Sequence, residues 1–365
     1  MIIKNKIILS GGGTGGSVTP LLQIYHELRG EFDFLFVGTY SGLEKDIIRK
    51  EGLAYRAILS GKWRRYFSLK NLADIFLIFL AFWQSLFLLL KIRPSMIISV
   101  GGFVAVPLSL SAWILRIPSI VHQQDVLPGL ANKLMAKTAT VVTVTFPEAK
   151  KYYGSKAKWI GNLGPDLNNF KFNKNEILDK YQLSNLKLPL IIIMGGGTGS
   201  SFLNKLTAES LAELLLISKI IHISGSIDRD IEIKNENEDI DYENYLKLEF
   251  IDHVDLLALM SLADLVVSRC GLATLTELSF FKKPAILIPI PNSHQEYNAQ
   301  EFKNKEAAIV LNQKKLTGDD FIREIKLILN NSELKNKLSQ NIFQVIKNGN
   351  QEMIGLIREI INSKK

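Results

Sequence analysis

Two glycine runs hold the first residues of this 365-residue chain that could do chemistry. Gly11-Gly12-Gly13-Thr14-Gly15-Gly16 follows the apolar run Ile7-Ile8-Leu9. It leads into a segment, Pro20 to Leu28, whose apolar residues recur with helical spacing. Gly195-Gly196-Gly197-Thr198-Gly199 follows Leu190-Ile191-Ile192-Ile193-Met194 and leads into Ser200 to Leu206. A strand, a glycine turn and a helix start together make an anion site. Glycine lets backbone N–H groups approach a phosphate, and the helix N-terminus adds partial positive charge. One such loop also serves packing alone, but two, each opening a half of the chain, predict two nucleotide-type domains.

Other turns repeat the form. Gly101-Gly102-Phe103-Val104-Ala105-Val106-Pro107 is a third glycine turn into a helix. Ser268-Arg269-Cys270-Gly271-Leu272-Ala273-Thr274 is a fourth strand-to-helix site, with Glu277 farther along the helix. The strand Pro118 to Val121 ends in the polar cluster His122-Gln123-Gln124-Asp125, at the carboxyl end of a strand, where open parallel sheets bind ligands. Asn292 to Asn298 is a polar loop entering a helix. Asp228-Arg229-Asp230 has the spacing of a carboxylate pair but reads as an exposed helix start, and Asn235 to Asp239 as a solvated acidic loop. No metal site is expected.

The elements that must position these residues alternate strand and helix, which predicts an α/β chain. Strands are expected at 32–38, 55–59, 95–100, 140–144, 159–162, 220–223, 246–251, 265–267 and 285–289, and closing amphipathic helices at 319–329, 332–348 and 351–361. The length fits two domains, with residues 161–168 as the connector. The composition, 47% hydrophobic and 22% charged, is globular. The single cysteine, Cys270, forms no intramolecular disulfide and fits a reducing compartment, and no signal peptide is evident. Residues 1–165 carry 20 Lys and Arg against 9 Asp and Glu, so of the net +8 this half holds +11 and the remainder −3. A basic half invites an anionic partner, and the lack of any nucleic-acid-binding signature disfavours DNA or RNA.

Within the basic half, Lys62, Trp63, Arg64 and Arg65 precede the apolar stretch Leu72–Leu90, which includes Phe76, Phe79 and Trp83. That stretch is long enough to span a bilayer or to form a buried core helix. Its place in a βαβ series and its basic flanks favour a helix lying in an anionic membrane surface.

In order, GGGTGG, GGF-V-x-x-P, H-x-Q…GLANK, and S-R-x-G…T-E followed by P-x-x-x-x-H-Q-x-x-N-A closely resemble the MurG family of glycosyltransferases over essentially the whole chain. The resemblance implies the GT-B fold, two Rossmann-like domains facing across a cleft. Residues 1–164 would be the acceptor- and membrane-binding domain, 165–340 the UDP-sugar domain, and 341–365 a C-terminal helix packing back on the first. It implies inverting transfer of N-acetylglucosamine from UDP-GlcNAc to the undecaprenyl-linked muramyl acceptor (lipid I), making lipid II at the cytoplasmic membrane face. No tightly bound cofactor or required metal is implied. Thr14, Gly15 and Gly16 would lie by the donor sugar and acceptor, and Gly12, Gly13, Gly101 and Gly102 by the acceptor pyrophosphate. Ile251 would contact uracil, Leu272, Ala273 and Thr274 the diphosphate, and Gly197 would be a further substrate-binding position. Arg269 would stabilise departing UDP, Glu277 would bind ribose, and Gln295 and Asn298 would hold the transferred sugar.

The chain departs from the family pattern at Ser17 (usually histidine), at His122-Gln123-Gln124-Asp125 (usually H-E-Q-N), at Pro165 (usually arginine) and at Gly197 (usually serine). The general base is therefore expected at Asp125, with His122 as second candidate. A transferase using another donor or lipid acceptor, and a scaffold that binds nucleotide sugar without turnover, stay open as alternatives.

Overall fold

The computed structural model describes residues 5–12, 15–61, 70–165, 170–183, 187–227 and 242–363. Gly13, Thr14, Lys62, Trp63, Arg64, Arg65, Asp228 to Asp230 and Asn235 to Asp239, named above, lie outside the described residues. The chain divides into two compact units, Met1–Gly164 with Lys347–Lys365, and Pro165–Ile346.

Unit 1 is built on a seven-stranded parallel sheet: β1 (Lys6–Ser10), β2 (Asp33–Gly38), β3 (Tyr55–Ala57), β4 (Met96–Ser99), β5 (Ser119–Gln123), β6 (Val141–Val144) and β7 (Ala157–Trp159), in the order β3-β2-β1-β4-β5-β6-β7. Successive strand residues point to opposite faces, so β1 serves two cores. Ile7 and Leu9 pack with α1 (Thr19–Leu28) and α13 (Asn350–Asn362), while Ile8 packs with Leu89 of α3 (Lys70–Ile92) and Leu108 of α4 (Ala105–Ile114). Continuous apolar strands are what a sheet covered on both faces requires. α13 joins this unit through Met353, Ile354, Leu356, Ile357 and Ile361, and Arg358 pairs with Glu31. The remaining helices are α2 (Glu44–Lys50) and α5 (Leu130–Thr138).

Unit 2 repeats the plan with β8 (Leu190–Met194), β9 (Lys219–Ile223), β10 (Tyr245–Leu248), β11 (Leu265–Ser268), β12 (Ala285–Leu287) and β13 (Ile309–Val310), ordered β10-β9-β8-β11-β12-β13. Ile191, Ile193 and Val267 pack against Leu203 and Leu206 of α7 (Ser201–Leu215) and Phe321 and Ile325 of α11 (Gly318–Asn330). α6 (Lys174–Lys180), α8 (His253–Leu262), α9 (Leu272–Phe280), α10 (His294–Asn304) and α12 (Ser332–Val345) complete it. In both sheets the first strand sits where the strand order reverses, the switch point at which such folds bind ligands.

Two expectations shift. The last strand of unit 1 is 157–159 and not 159–162, because Ala157 and Trp159 pair with Val142 and Val144, while Gly161 turns at φ +89°. Residues 161–164, expected to be connector, are interior: Asn162 is buried and exchanges backbone hydrogen bonds with Lys347 and Gly349.

Candidate active site

In unit 1 the glycine turns after β1 and β4 meet. Gly101 and Gly102 stand at φ +122° and +91°, a region open to glycine, and a Cβ on Gly102 would lie 2.8 Å from the Gly12 carbonyl oxygen. Gly12, Gly101 and Gly102 are thus brought together at the switch point. Below Gly12 lies the buried Glu44, whose Oε1 accepts from the Thr39 amide at 2.9 Å and its hydroxyl at 2.6 Å. From the next strand, Gln124 Nε2 donates to the Gly16 carbonyl at 3.3 Å, tying the polar cluster to the first glycine run.

The cluster itself is a hydrogen-bonded block. His122 is fully buried, its Nδ1 3.0 Å from Thr143 Oγ1 and its Nε2 2.9 Å from Asn162 Oδ1. Since Asn162 offers an acceptor, Nε2 carries the proton and Nδ1 accepts from the threonine hydroxyl. Burial lowers the imidazole to a pKa of about 4, so the ring is neutral. This corrects His122 as a candidate base: both nitrogens are occupied and no edge reaches solvent. Asp125 is half-buried just beyond the end of β5, and its carbonyl accepts from Gln123 Nε2 at 2.7 Å. Ser17 is buried.

In unit 2 the second glycine run turns at Gly196 and Gly199, with φ +92° and +88°. A Cβ on Gly199 would lie 2.1 Å from the Ser224 carbonyl oxygen, so the loop packs against the end of β9. Gly197 is exposed and touches nothing that a Cβ would disturb. Ser200 then caps α7, its hydroxyl accepting from the Leu203 amide at 3.4 Å. The same hydroxyl accepts from Arg269 Nη2 at 2.7 Å and Nε at 3.1 Å. Arg269 also donates to the Ile288 carbonyl and to Gln313 Oε1 at 3.0 and 2.7 Å. These donors hold the loop, and Arg269, only 8% exposed, forms no ion pair among the described residues.

α9 begins at the carboxyl end of β11 with Gly271 as an extended N-cap and no side-chain cap. The first intrahelical bond is Leu275 to Gly271, which leaves the amides of Leu272, Ala273 and Thr274 without intrahelical acceptors. One turn farther, Glu277 is buried, with its Oε1 2.8 Å from Nε2 of the half-exposed His253. Ile251 is half-buried just before α8. Gln295 and Asn298, expected to touch the sugar, also hold the turn. Gln295 Oε1 accepts from the Cys270 and Ile290 amides, and the fully buried Asn298 donates to the Cys270 carbonyl. Both face inward because the turn's polar groups need partners.

Phe76, Phe79, Trp83 and Phe87 share one exposed face of α3, while Ala81, Ser85 and Leu89 are buried on the other. α4 adds exposed Leu110, Trp113 and Ile114. No helix among the described residues is long and apolar enough to cross a membrane. No three His, Cys, Asp or Glu among the described residues cluster so as to hold a metal. Local pattern missed His253, Asn132, Tyr153 and Glu44, which lie 24, 9, 30 and 5 residues from the partners they bind. Only the fold reveals the longer of these pairings.

Residues 7–144 match the glycosyltransferase family 28 N-terminal domain and residues 190–353 its C-terminal domain. The chain is 36% identical over 335 residues to UDP-N-acetylglucosamine–N-acetylmuramyl-(pentapeptide) pyrophosphoryl-undecaprenol N-acetylglucosamine transferase 2 of Bacillus cereus, across 90% of this chain and 93% of that relative. It is 35% identical over 371 residues to the enzyme of that name from Clostridium tetani, across 99% and 100%. Its fold is similar to that of Acinetobacter baumannii MurG, with a TM-score of 0.75 at 23% identity over 97% of this chain and 99% of that one. It is also similar to UDP-GlcNAc 2-epimerase from Neisseria meningitidis, with a TM-score of 0.71 at 12% identity over 97% and 100%.

Proposed function

This chain belongs to glycosyltransferase family 28, and we infer its activity from its likeness to the named transferases together with the geometry of its second unit. It transfers N-acetylglucosamine from UDP-GlcNAc to the undecaprenyl-pyrophosphoryl muramyl-peptide acceptor, the step that completes lipid II for peptidoglycan. The observation that carries the reading is the uncapped start of α9. Three free amides at a helix N-terminus suit a diphosphate, and Glu277 on the same helix suits the ribose hydroxyls. Arg269 supplies charge to departing UDP through the field of an unneutralised guanidinium, while Ser200 receives its hydrogen bonds. Ile251 flanks the uracil, and Gly197 leaves room for phosphate. No resident metal or cofactor is invoked.

In unit 1, Gly12, Gly101 and Gly102 offer their backbone to the acceptor's pyrophosphate, with Gly13 and Thr14 continuing the same run and Gly15 and Gly16 closing it toward the sugars. Attack on the anomeric carbon from the face opposite UDP inverts it and requires removal of a proton from the muramyl C4 hydroxyl. Asp125 is the base: it is half-buried and follows Gln124, which donates to the Gly16 carbonyl of the first glycine run, whereas His122 is sealed. The aromatic face of α3, with α4 and the basic residues Lys62, Arg64 and Arg65 beside Trp63, rests on the anionic cytoplasmic face of the membrane.

Purified protein given UDP-GlcNAc and a short-chain acceptor should release UDP; release only with another sugar or acceptor, or none at all, overturns the assignment. Asp125→Asn should lower kcat at least ~100-fold with UDP-GlcNAc binding intact, and near-normal turnover removes Asp125 as the base. Replacing Phe79, Trp83 and Phe87 with serine should release the protein from anionic vesicles, and undiminished binding rejects that face.

A further inference from the structure

We propose that His253 is a positioning residue of the nucleotide site: it anchors one oxygen of the Glu277 carboxylate and so sets the group for the ribose hydroxyls. The Glu277 side chain is only 5% exposed, whereas that of His253 is 50% exposed. Their hydrogen bond, Nε2 to Oε1 at 2.8 Å, joins residues 24 apart in the chain. An ionised carboxylate only accepts, so Nε2 carries the hydrogen, and it does so whether the ring is neutral or charged. The inference rests on the reading of Glu277 as the ribose ligand and adds the residue that orients it.

β10 and β11 stand apart in their sheet, with β9 and β8 between them. The segment after β10 nonetheless reaches the helix after β11, and the His253–Glu277 bond lies where they meet. His253 opens α8 two residues past Ile251, the expected uracil neighbour, so one short segment serves both base and ribose. The ring stands on a fixed backbone. Asp252 caps α8 by accepting from the Val254 amide at 2.9 Å, and Asp255 accepts from Tyr181 Oη and Lys180 Nζ, each at 2.6 Å. An unanchored glutamate side chain would spread over many rotamers and lose that freedom on binding. Held beforehand by His253, it meets the ligand already oriented. A carboxylate offers about four acceptor sites, so the imidazole leaves room for both ribose hydroxyls.

The test is calorimetric binding of UDP and of 2′,3′-dideoxy-UDP to the full chain, for wild type, His253→Asn, His253→Gln and Glu277→Ala. Asparagine is too short to reach Glu277, while glutamine carries an N–H about as far from the backbone as Nε2 does. His253→Asn should weaken UDP binding about fivefold and leave the dideoxy analogue within about twofold of wild type, because only the hydroxyl-bearing ligand uses the carboxylate. His253→Gln should bring UDP binding back to within about twofold of wild type, and Glu277→Ala should erase the preference for UDP over the analogue. In turnover, His253→Asn should raise the KM for UDP-GlcNAc by a similar factor with kcat within about twofold. UDP binding unchanged or tightened in His253→Asn, while Glu277→Ala weakens it, overturns the inference and leaves the ribose reading standing. Equal weakening of both ligands in His253→Asn also overturns it, since that marks a disturbed helix start and not a misplaced carboxylate. UDP affinity unaltered in Glu277→Ala overturns the ribose reading, and the inference with it.

Discussion

The first and second glycine runs follow equivalent strands, β1 and β8, and differ little in sequence, yet the chain secures them by different means. In unit 1 the run lies against the turn after β4, across the switch point, through backbone contact between Gly12 and Gly102. In unit 2 the run leans the other way, onto Ser224 and Gly225 after β9. Its switch-point side is held by side chains, with Arg269 of the β11 turn reaching back to Ser200. The α1 start has no side-chain cap, whereas α7 is capped by Ser200. One motif can therefore be specified by steric exclusion or by a polar clamp, and the two answer differently to substitution.

The sharpest break is a methyl group. Gly199→Ala adds a side chain at φ +88° against a carbonyl oxygen and should cost about 4 kcal/mol, read as a lowered Tm for unit 2. Gly102→Ala should cost somewhat less and abolish acceptor turnover while UDP binding persists. Equal tolerance of both in thermal unfolding would erase the steric half of the comparison.

Acid tests a feature that the units share. His222 of unit 2, between Tyr245 Oη at 2.8 Å and Asn204 Oδ1 at 3.0 Å, is lowered by burial to a pKa of about 4, as is His122. An unfolded histidine binds its proton near pH 6.5, so protonation favours unfolding. The stability from each neutral ring is whole above that pH and drains as pH falls toward 4, by on the order of 3 kcal/mol each. Denaturant unfolding at pH 7 and pH 4.5 should show both units weakened; a single affected unit would mark one histidine as already charged.

Breaking the polar clamp comes next. Ser200→Ala removes a helix cap and strands two Arg269 donors, for about 2 kcal/mol. It should raise the KM for UDP-GlcNAc without changing acceptor affinity, and an unchanged KM would detach the clamp from donor binding. Glu277→Ala should raise that KM about tenfold with a lesser effect on kcat; unaltered UDP affinity in calorimetry removes Glu277 from the ribose. Smallest is Gly197→Ala, which meets open space and should shift stability by less than about 0.5 kcal/mol.

Much of the sheet was legible because strands covered on both faces must be apolar runs, as Leu190 to Met194 is. The edge strand β7 was misplaced because its Lys158 and Trp159 are exposed and no apolar run marks them. Residue types at the site were legible, and their directions were not. Arg269, Gln295 and Asn298 lie at or beside the turn between β11 and α9, and they spend hydrogen bonds on that turn's backbone, on the Ile288 carbonyl and on Ser200. Charge and polarity mark a neighbourhood. Which donor faces the ligand depends on partners such as Gln313, 44 residues away.

Helix α13 places Met353, Ile354 and Ile357 in the same core as Ile7 and Leu28. A ribosome making this protein therefore emits the whole of unit 2 before the helix that completes unit 1. Until then the groove beside α1 stays open to water, and the first half waits as an unfinished body with apolar surface for chaperones to cover. Translation that halts after unit 2 would deliver an intact second unit joined to a first that cannot close. Degradation of such truncated chains should begin at the amino-terminal half.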